Sequence, residues 1–288
     1  MAEKSSLGRR LSSRFVAGTT LEEVLAVTQK VNAAGCSVSI DSLGENVTNA
    51  EEAKRSAEAY HRLLDEIAAR RLDANVSVKL TQMGLDIEEI LARAITGGIV
   101  EHAARLNNFA RIDMEGSQYT ERTLRLVREL HAMNGNAGHV GAVIQAYLYR
   151  SEKDVEDLLQ DRIRIRLCKG AYKEPAEIAF QNKADVDANY IKLMKMLLKS
   201  GVYHGIATHD RRMITATCKF ARAEKIPPQS FEFQMLYGIR RDLQQQLMKE
   251  GWRMRVYVPF GTEWYPYFMR RLAERPANVL FVLRNLWR

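Results

Sequence analysis

Between Ser37 and Val258 the hydrophobic period switches eight times, and that switching limits the fold more than any single motif. Short β-branched runs occupy Ser37–Asp41, Asn75–Leu80, Phe109–Met114, Val140–Ala146, Ile163–Cys168, Tyr203–Thr208, Ser230–Phe233 and Met254–Val258. Each is followed by a polar loop and a stretch with apolar residues three and four apart, the spacing of one helix face. After the first run that face holds Ala57, Tyr60, Leu64 and Ala68; after the second it holds Ile87, Ile90, Leu91, Ala94 and Ile95. Strands that alternate with helices form a parallel sheet. Eight units in 288 residues fit a (β/α)8 barrel, which typically takes about 250. A doubly wound sheet would need fewer units and a glycine-rich first turn. One further helix, about Thr20–Ala33, precedes the first run. The division predicted is therefore a helical extension over 1–36 and a barrel domain over 37–288, with Ala277–Leu286 as a closing helix.

Lys plus Arg number 43 and Asp plus Glu 35, so the net charge is 43 − 35 = +8. Such an excess suits an anionic partner. The three cysteines, Cys36, Cys168 and Cys218, lie far apart with no CxxC, which argues against a disulfide framework or a zinc site. The six histidines show no metal-ligand spacing, so no metal is expected; His209 alone falls at a strand end, and the others read as surface or helix-face residues. Reduced thiols, no apolar leader and no run of ~18 apolar residues point to a cytoplasmic chain whose membrane contact, if any, is peripheral. GxxxxGK[ST], a strand-following GxGxxG, HExxH and GxSxG are all absent, which disfavours P-loop, Rossmann, zincin and serine-hydrolase chemistry.

Barrel chemistry sits at the C-terminal ends of the strands. The runs end at Asp41, Lys79, Asp113, Gln145, Arg166 with Lys169, Thr208 with His209 and Asp210, Glu232 with Gln234, and Tyr257. Eight polar ends on one rim, cations among them, imply a ligand bearing carboxylate or phosphate. Lys79 can act as a Schiff-base lysine or as a fixed cation. Strict alternation in Arg162–Ile163–Arg164–Ile165–Arg166 would turn Arg164 inward at high cost; either the strand starts after it or a carboxylate pairs with it. A nucleic-acid binder ranks last, because the arginines surround no aromatic platform.

The same stretches resemble proline dehydrogenase in its short bacterial form: SVSIDSLGE (Ser37–Glu45), VSVKL (Val76–Leu80), RIDM (Arg111–Met114), VIQAY (Val143–Tyr147), RLCKGAY (Arg166–Tyr172), ATHD (Ala207–Asp210), FEFQMLYG (Phe231–Gly238), VYVPFG (Val256–Gly261) and FMRRLAERPAN (Phe268–Asn278). RLCKGAY together with the arginine pair is the specific part. The resemblance implies a distorted (β/α)8 barrel that binds FAD and oxidises L-proline to Δ1-pyrroline-5-carboxylate by hydride transfer from C5 to flavin N5, with a quinone as electron acceptor. By that resemblance Lys79, Arg270 and Arg271 clamp the proline carboxylate, and Tyr172, Leu236 and Tyr257 wall the ring; Tyr257 crowds the face where a hydroxyproline hydroxyl would sit. Met114, Gln145, Arg166, Lys169, Gly170, Ala171, Thr208 and His209 match cofactor contacts. Asp113 and Arg166 match catalytic positions, although Asp113 can equally hold the arginines and Tyr257 in place. Adjacent arginines on a helix point about 100° apart, so both reach one ligand only if the last helix lies over the mouth. Association with the inner face of the membrane is left open, as is contact of the basic segment Lys4, Arg9, Arg10 and Arg14 with lipid. The length leaves no residues for a second, aldehyde-oxidising domain.

Overall fold

A computed structural model describes residues 14–133 and 135–273, without the side chains of Phe268 and residues 270–273. Eight parallel strands close in chain order: β1 Ser37–Ser42, β2 Ala74–Val78, β3 Ala110–Ile112, β4 Val140–Gln145, β5 Arg164–Cys168, β6 His204–Ala207, β7 Phe231–Leu236 and β8 Met254–Phe260. β8 pairs with β1 from Ser37↔Arg255 to Ser42↔Phe260 and shuts the barrel. The expected (β/α)8 fold is what forms. The helices are α1 Leu21–Ala33, α2 Ala50–Ala69, α3 Glu89–Arg105, α4 Ser117–Ala132, α5 Ser151–Gln160, α6 Lys183–Lys199, α7 Arg211–Ala223, α8 Arg241–Lys249 and α9 Trp264–Ala273. Ala277–Leu286 lies outside the described residues.

Outward strand residues such as Val38, Ile40, Val76, Val78, Ile112, Ile165, Phe233 and Val258 are buried against the helices. Inward positions carry Ser39, Asp41, Ser77, Arg111, Asp113, Arg166, Glu232, Gln234 and Arg255, all buried. Barrel interiors are ordinarily filled by Val, Ile and Leu. This one is filled by a hydrogen-bonded polar network, and the apolar core lies between sheet and helices.

α1 starts at the mouth end of β8, where Ala17 N donates to Pro259 O at 2.8 Å and Gly261 N donates to Gly18 O at 3.0 Å. It ends just before β1 begins and packs on β1 and β8. Thr20 and Glu23 cap it reciprocally, satisfying orphan N–H groups of its first turn. α1 therefore fills the wall position that the helix after β8 would otherwise take. That helix, α9, packs instead by Trp264 and Tyr267 against Phe15, Leu43 and Ile239 beside the mouth.

Three expectations need correcting. The buried stripe of α3 is Ala92, Thr96, Gly97, Ile99, Val100 and Ala103, whereas Ile90 is 73 % exposed and Ile87 40 %. Small residues let α3 approach α2 closely, and that approach outweighs the larger side chains on the neighbouring face. Arg164 lies within β5 and forms no ion pair among the described residues; its guanidinium stacks on Phe109 at 5.3 Å and Tyr203 at 5.8 Å, so aromatic faces take the place of a carboxylate. His204 is not a surface residue but fully buried at the start of β6. Its Nδ1 accepts from Ile165 N at 3.0 Å and its Nε2 meets Ser200 Oγ at 2.9 Å.

Burial pushes the His204 imidazole down to about 3, and protonating Nδ1 would remove the acceptor that holds β5. The folded-state value lies below the unfolded value of about 6.5. The stability this neutral ring contributes is therefore complete above about pH 6.5 and lost as pH falls toward 3. Urea unfolding between about pH 6 and pH 4 should show a slope shallower by about 1.4 kcal/mol per pH unit in His204→Gln than in the wild type. Equal slopes would mean that the ring titrates normally.

Candidate active site

A cavity of about 470 Å³ opens at the C-terminal ends of the strands. Every strand, or the residue just after it, sends at least one group into it: Asp41, Lys79, Asp113, Gln145, Arg166, Ala207, Gln234 and Tyr257 in chain order of strands. A larger groove of about 690 Å³ runs between α4 and α5 on the outer wall. Its lining is a set of surface ion pairs, including Arg128–Asp161 and Lys153–Asp157, and no strand end reaches it; the chemistry belongs to the mouth.

Arg166 occupies the cavity floor. Its Nη1 donates to Asp113 Oδ1 at 2.5 Å and Ser77 Oγ at 3.1 Å, its Nη2 to Ser39 Oγ at 3.0 Å and its Nε to Gln234 Oε1 at 2.5 Å. One guanidinium on β5 thus ties residues of β1, β2, β3 and β7 across the barrel. Asp113 also accepts Ser77 Oγ at 3.0 Å on Oδ1 and Tyr257 Oη at 2.8 Å on Oδ2. The Arg166 guanidinium lies 5.1 Å from the Tyr257 ring centroid. Burial and the Asp113 carboxylate hold the Tyr257 phenol well above its ordinary value, so it donates and does not ionise.

Lys79 contacts both oxygens of Asp41 at 2.9 Å, and both residues are buried. Burial opposes the ammonium charge, but Asp41 and Asp113 overcome it and raise the Lys79 value. A Schiff-base lysine must lose its proton to become a nucleophile, and Lys79 is held in the opposite state. Glu115, on the β3–α4 loop, accepts Thr81 N at 3.1 Å and Thr81 Oγ1 at 2.5 Å, which fixes the turn after β2. Its own carbonyl accepts Gln145 Nε2 at 2.9 Å.

The cavity's far rim is built by the β5–α6 and β6–α7 loops. Lys169 pairs with Asp187 and, at 2.7 Å, with Asp210; the bond to Lys169 holds the Asp210 carboxyl down at about 2 despite partial burial. Gly170 has φ +122°, and a Cβ there would lie 2.5 Å from the Tyr147 ring, so only glycine fits. Leu236 N donates to His209 Nε2 at 2.9 Å, and Asp210 N to Thr208 Oγ1 at 3.0 Å.

Of the site residues expected from sequence, Lys79, Asp113, Met114, Gln145, Arg166, Lys169, Gly170, Ala171, Tyr172, Thr208, His209, Leu236 and Tyr257 all line this one cavity. The backbones of Arg270 and Arg271 lie in α9; their side chains fall outside the described residues. Tyr267 and Glu45 also line the cavity and were not singled out from sequence. Tyr267 stands one helical turn before Arg270, and that spacing could have flagged it. Among the described residues no group of three or more His, Cys, Asp or Glu side chains is placed to hold a metal ion. None of the described helices is long and apolar enough to cross a membrane.

The family described as proline dehydrogenase matches residues 24–284. Proline dehydrogenase 1 of Bacillus subtilis subsp. natto is 43 % identical over 280 residues, 97 % of this chain and 92 % of that one. The chain belongs to the proline dehydrogenase family. Proline dehydrogenase of Deinococcus radiodurans is 41 % identical over 279 residues, covering 96 % of this chain and 90 % of the other. Among solved structures, proline utilization A (PutA) from Bdellovibrio bacteriovorus inactivated by N-propargylglycine superposes with a TM-score of 0.86 at 27 % identity, over 92 % of this chain and 32 % of that larger one. The chain is therefore an enzyme of proline oxidation in proline catabolism, and its barrel corresponds to about a third of PutA.

Removing one partner of a buried ion pair strands the other charge. Lys79→Met should cost about 3–5 kcal/mol of unfolding free energy, and most of that should return in Lys79→Met/Asp41→Asn. Urea unfolding of the two variants checks this; an equal loss in both would show that the pair does not couple.

Proposed function

We propose that the chain oxidises L-proline to Δ1-pyrroline-5-carboxylate at this mouth, with FAD held in the pocket and the electrons passed on to a quinone. The observation that carries the reading is the Arg166 guanidinium, fixed by four partners at the floor of the cavity in a chain of this family. The lining suits a flavin. Met114, Val143, Leu236 and Tyr257 offer apolar surface, while Gln145, its Nε2 taken up by Glu115, has a carbonyl to offer a ring N–H. Met114, Gln145, Arg166, Lys169, Gly170, Ala171, Thr208 and His209 would hold the cofactor. Bound FAD would supply the two-electron acceptor for the hydride that leaves proline C5.

The protein's own groups do the rest. Arg166 sets a fixed positive charge where electron density arrives. Both oxygens of Asp113 are occupied by Arg166, Ser77 and Tyr257, which supports a holding role over proton transfer. Tyr172, Leu236 and Tyr257 would wall the substrate ring, fixing the position of its C5.

Charge matching supports the arginine clamp. Lys79 is already matched by Asp41, and Arg166 by Asp113. A substrate carboxylate therefore needs new cations, and Arg270 and Arg271 on α9 are the ones that would supply them, with Lys79 at the edge of the same site. Proximity of the basic N-terminal segment to a bilayer stays part of the proposal; Lys4, Arg9 and Arg10 lie outside the described residues.

Purified protein reconstituted with FAD should be yellow and bleach on adding L-proline, and 4-hydroxyproline should have the lower kcat/KM. Arg271→Ala should raise KM for proline about 10- to 100-fold, the cost of one to two charge-assisted contacts. A chain that takes up no FAD would overturn the reading; an unchanged KM would remove the clamp from it.

A further inference from the structure

We infer that Glu232, one layer below the mouth and outside the cavity lining, is a positioning residue for the reaction: it fixes the orientation of the Gln234 amide and so the place of the Arg166 guanidinium. This rests on the proposed role of Arg166 as the cation facing the cofactor.

A glutamine amide is nearly symmetric in shape, and its two flips differ only in which end donates. Gln234 Oε1 accepts from Arg166 Nε at 2.5 Å, and Gln234 Nε2 donates to Glu232 Oε1 at 2.7 Å. In the opposite flip an oxygen would face a carboxylate and an NH2 would face a guanidinium, so both contacts would repel. A carboxylate only accepts, and Glu232 is held ionised. Burial opposes its charge, while Arg255 Nε at 2.6 Å and Tyr203 Oη at 2.9 Å more than offset that. Arg255 is itself tied to Val38 O at 2.7 Å. Glu232 and Gln234 stand two residues apart on one strand, about 7 Å, and Gln234 lines the cavity whereas Glu232 does not. A second observation restricts the amide sterically. A Cβ on Gly205 of β6 would collide with Gln234 Nε2 and lie 2.8 Å from its Cδ, so the side chain rests flat on a glycine.

Misplacing a reacting group by about 1 Å from a remote substitution can cost about 100-fold. Gln234→Met removes both bonds and should lower kcat about 10- to 100-fold, with KM for proline within about threefold and the flavin midpoint potential more negative. Glu232→Gln should do the same to a lesser degree. It also leaves Arg255 without its counter-charge; should it fail to fold, the Gln234 variants carry the test. Gln234→Glu is the rescue. Lying between Glu232 and Arg166, its carboxyl reproduces both bonds only while protonated, donating to Glu232 while its carbonyl accepts from Arg166. Its kcat should lie within about threefold of the wild type near pH 6 and fall as pH rises and the acid ionises, a limb the wild type lacks.

The Arg166 Nε–H proton of the cofactor-free chain gives a readout independent of activity. It should exchange slowly in the wild type and fast in Gln234→Met and Glu232→Gln. A kcat for Gln234→Met within twofold of the wild type, no pH limb in Gln234→Glu, or unchanged Nε–H exchange would overturn the inference. A wild type that binds no FAD or fails to oxidise proline would overturn the proposed function instead, while the exchange result still decides whether Glu232 fixes Arg166.

Discussion

The contact between Arg166 and Asp113 sets the terms for the whole interior. A buried charge pair returns its desolvation cost only when its remaining donors and acceptors are also met. Here they are met by Ser39, Ser77, Gln234 and Tyr257, one group each from β1, β2, β7 and β8. Because each partner is a strand residue, the network is as rigid as the sheet that carries it. The barrel could not exchange this layer for aliphatic side chains and still present a fixed cation at its mouth. An interior ordinarily given to packing is given to orientation.

The same accounting explains why the last helix is displaced. With Lys79 matched by Asp41 and Lys169 by Asp187 and Asp210, the described strand ends form a nearly neutral lining. Under the proposed clamp, charge for the substrate carboxylate would come from an element that is not part of the wall. α1 takes the wall position beside β8 and β1, and α9 packs instead beside the mouth, where Tyr267 lines the cavity. The N-terminal helix and the site are linked by that exchange of places.

Much of this was legible in the residues. All eight strands announced themselves through short β-branched runs, and of the twelve residues named at their ends all but Glu232 line the cavity; Met114, Gly170, Ala171, Tyr172 and Leu236 were reached only through the family resemblance. What periodicity could not say was which face of α3 packs inward. Ile87 and Ile90 are the larger apolar side chains, yet Ala92, Thr96 and Gly97 are buried, because close helix approach favours small groups. Nor could it foresee the outcome for Arg164, which is neither a later strand start nor a carboxylate partner, since stacking on Phe109 and Tyr203 depends on neighbours distant in sequence. Glu232 was visible as a strand-end residue, but its partners Tyr203, Gln234 and Arg255 lie just before β6, on β7 and on β8 and emerge only from the closed barrel.

Two strand glycines show how such a polar interior fits at all. Gly141 on β4 and Gly205 on β6 flank β5, and neither has a positive φ, so conformational freedom does not account for them. A Cβ on Gly141 would collide with Arg164 O and lie 2.7 Å from Arg111 Nη1, and one on Gly205 would collide with Gln234. Long polar side chains from β3 and β7 therefore lie across glycines on the neighbouring strands. A glycine inside a strand often marks a close approach of this kind. Large and small residues thus alternate between neighbouring strands; here the large members are Arg111 and Gln234, and without Gly205 Arg166 would lose the partner at Gln234 that aims it.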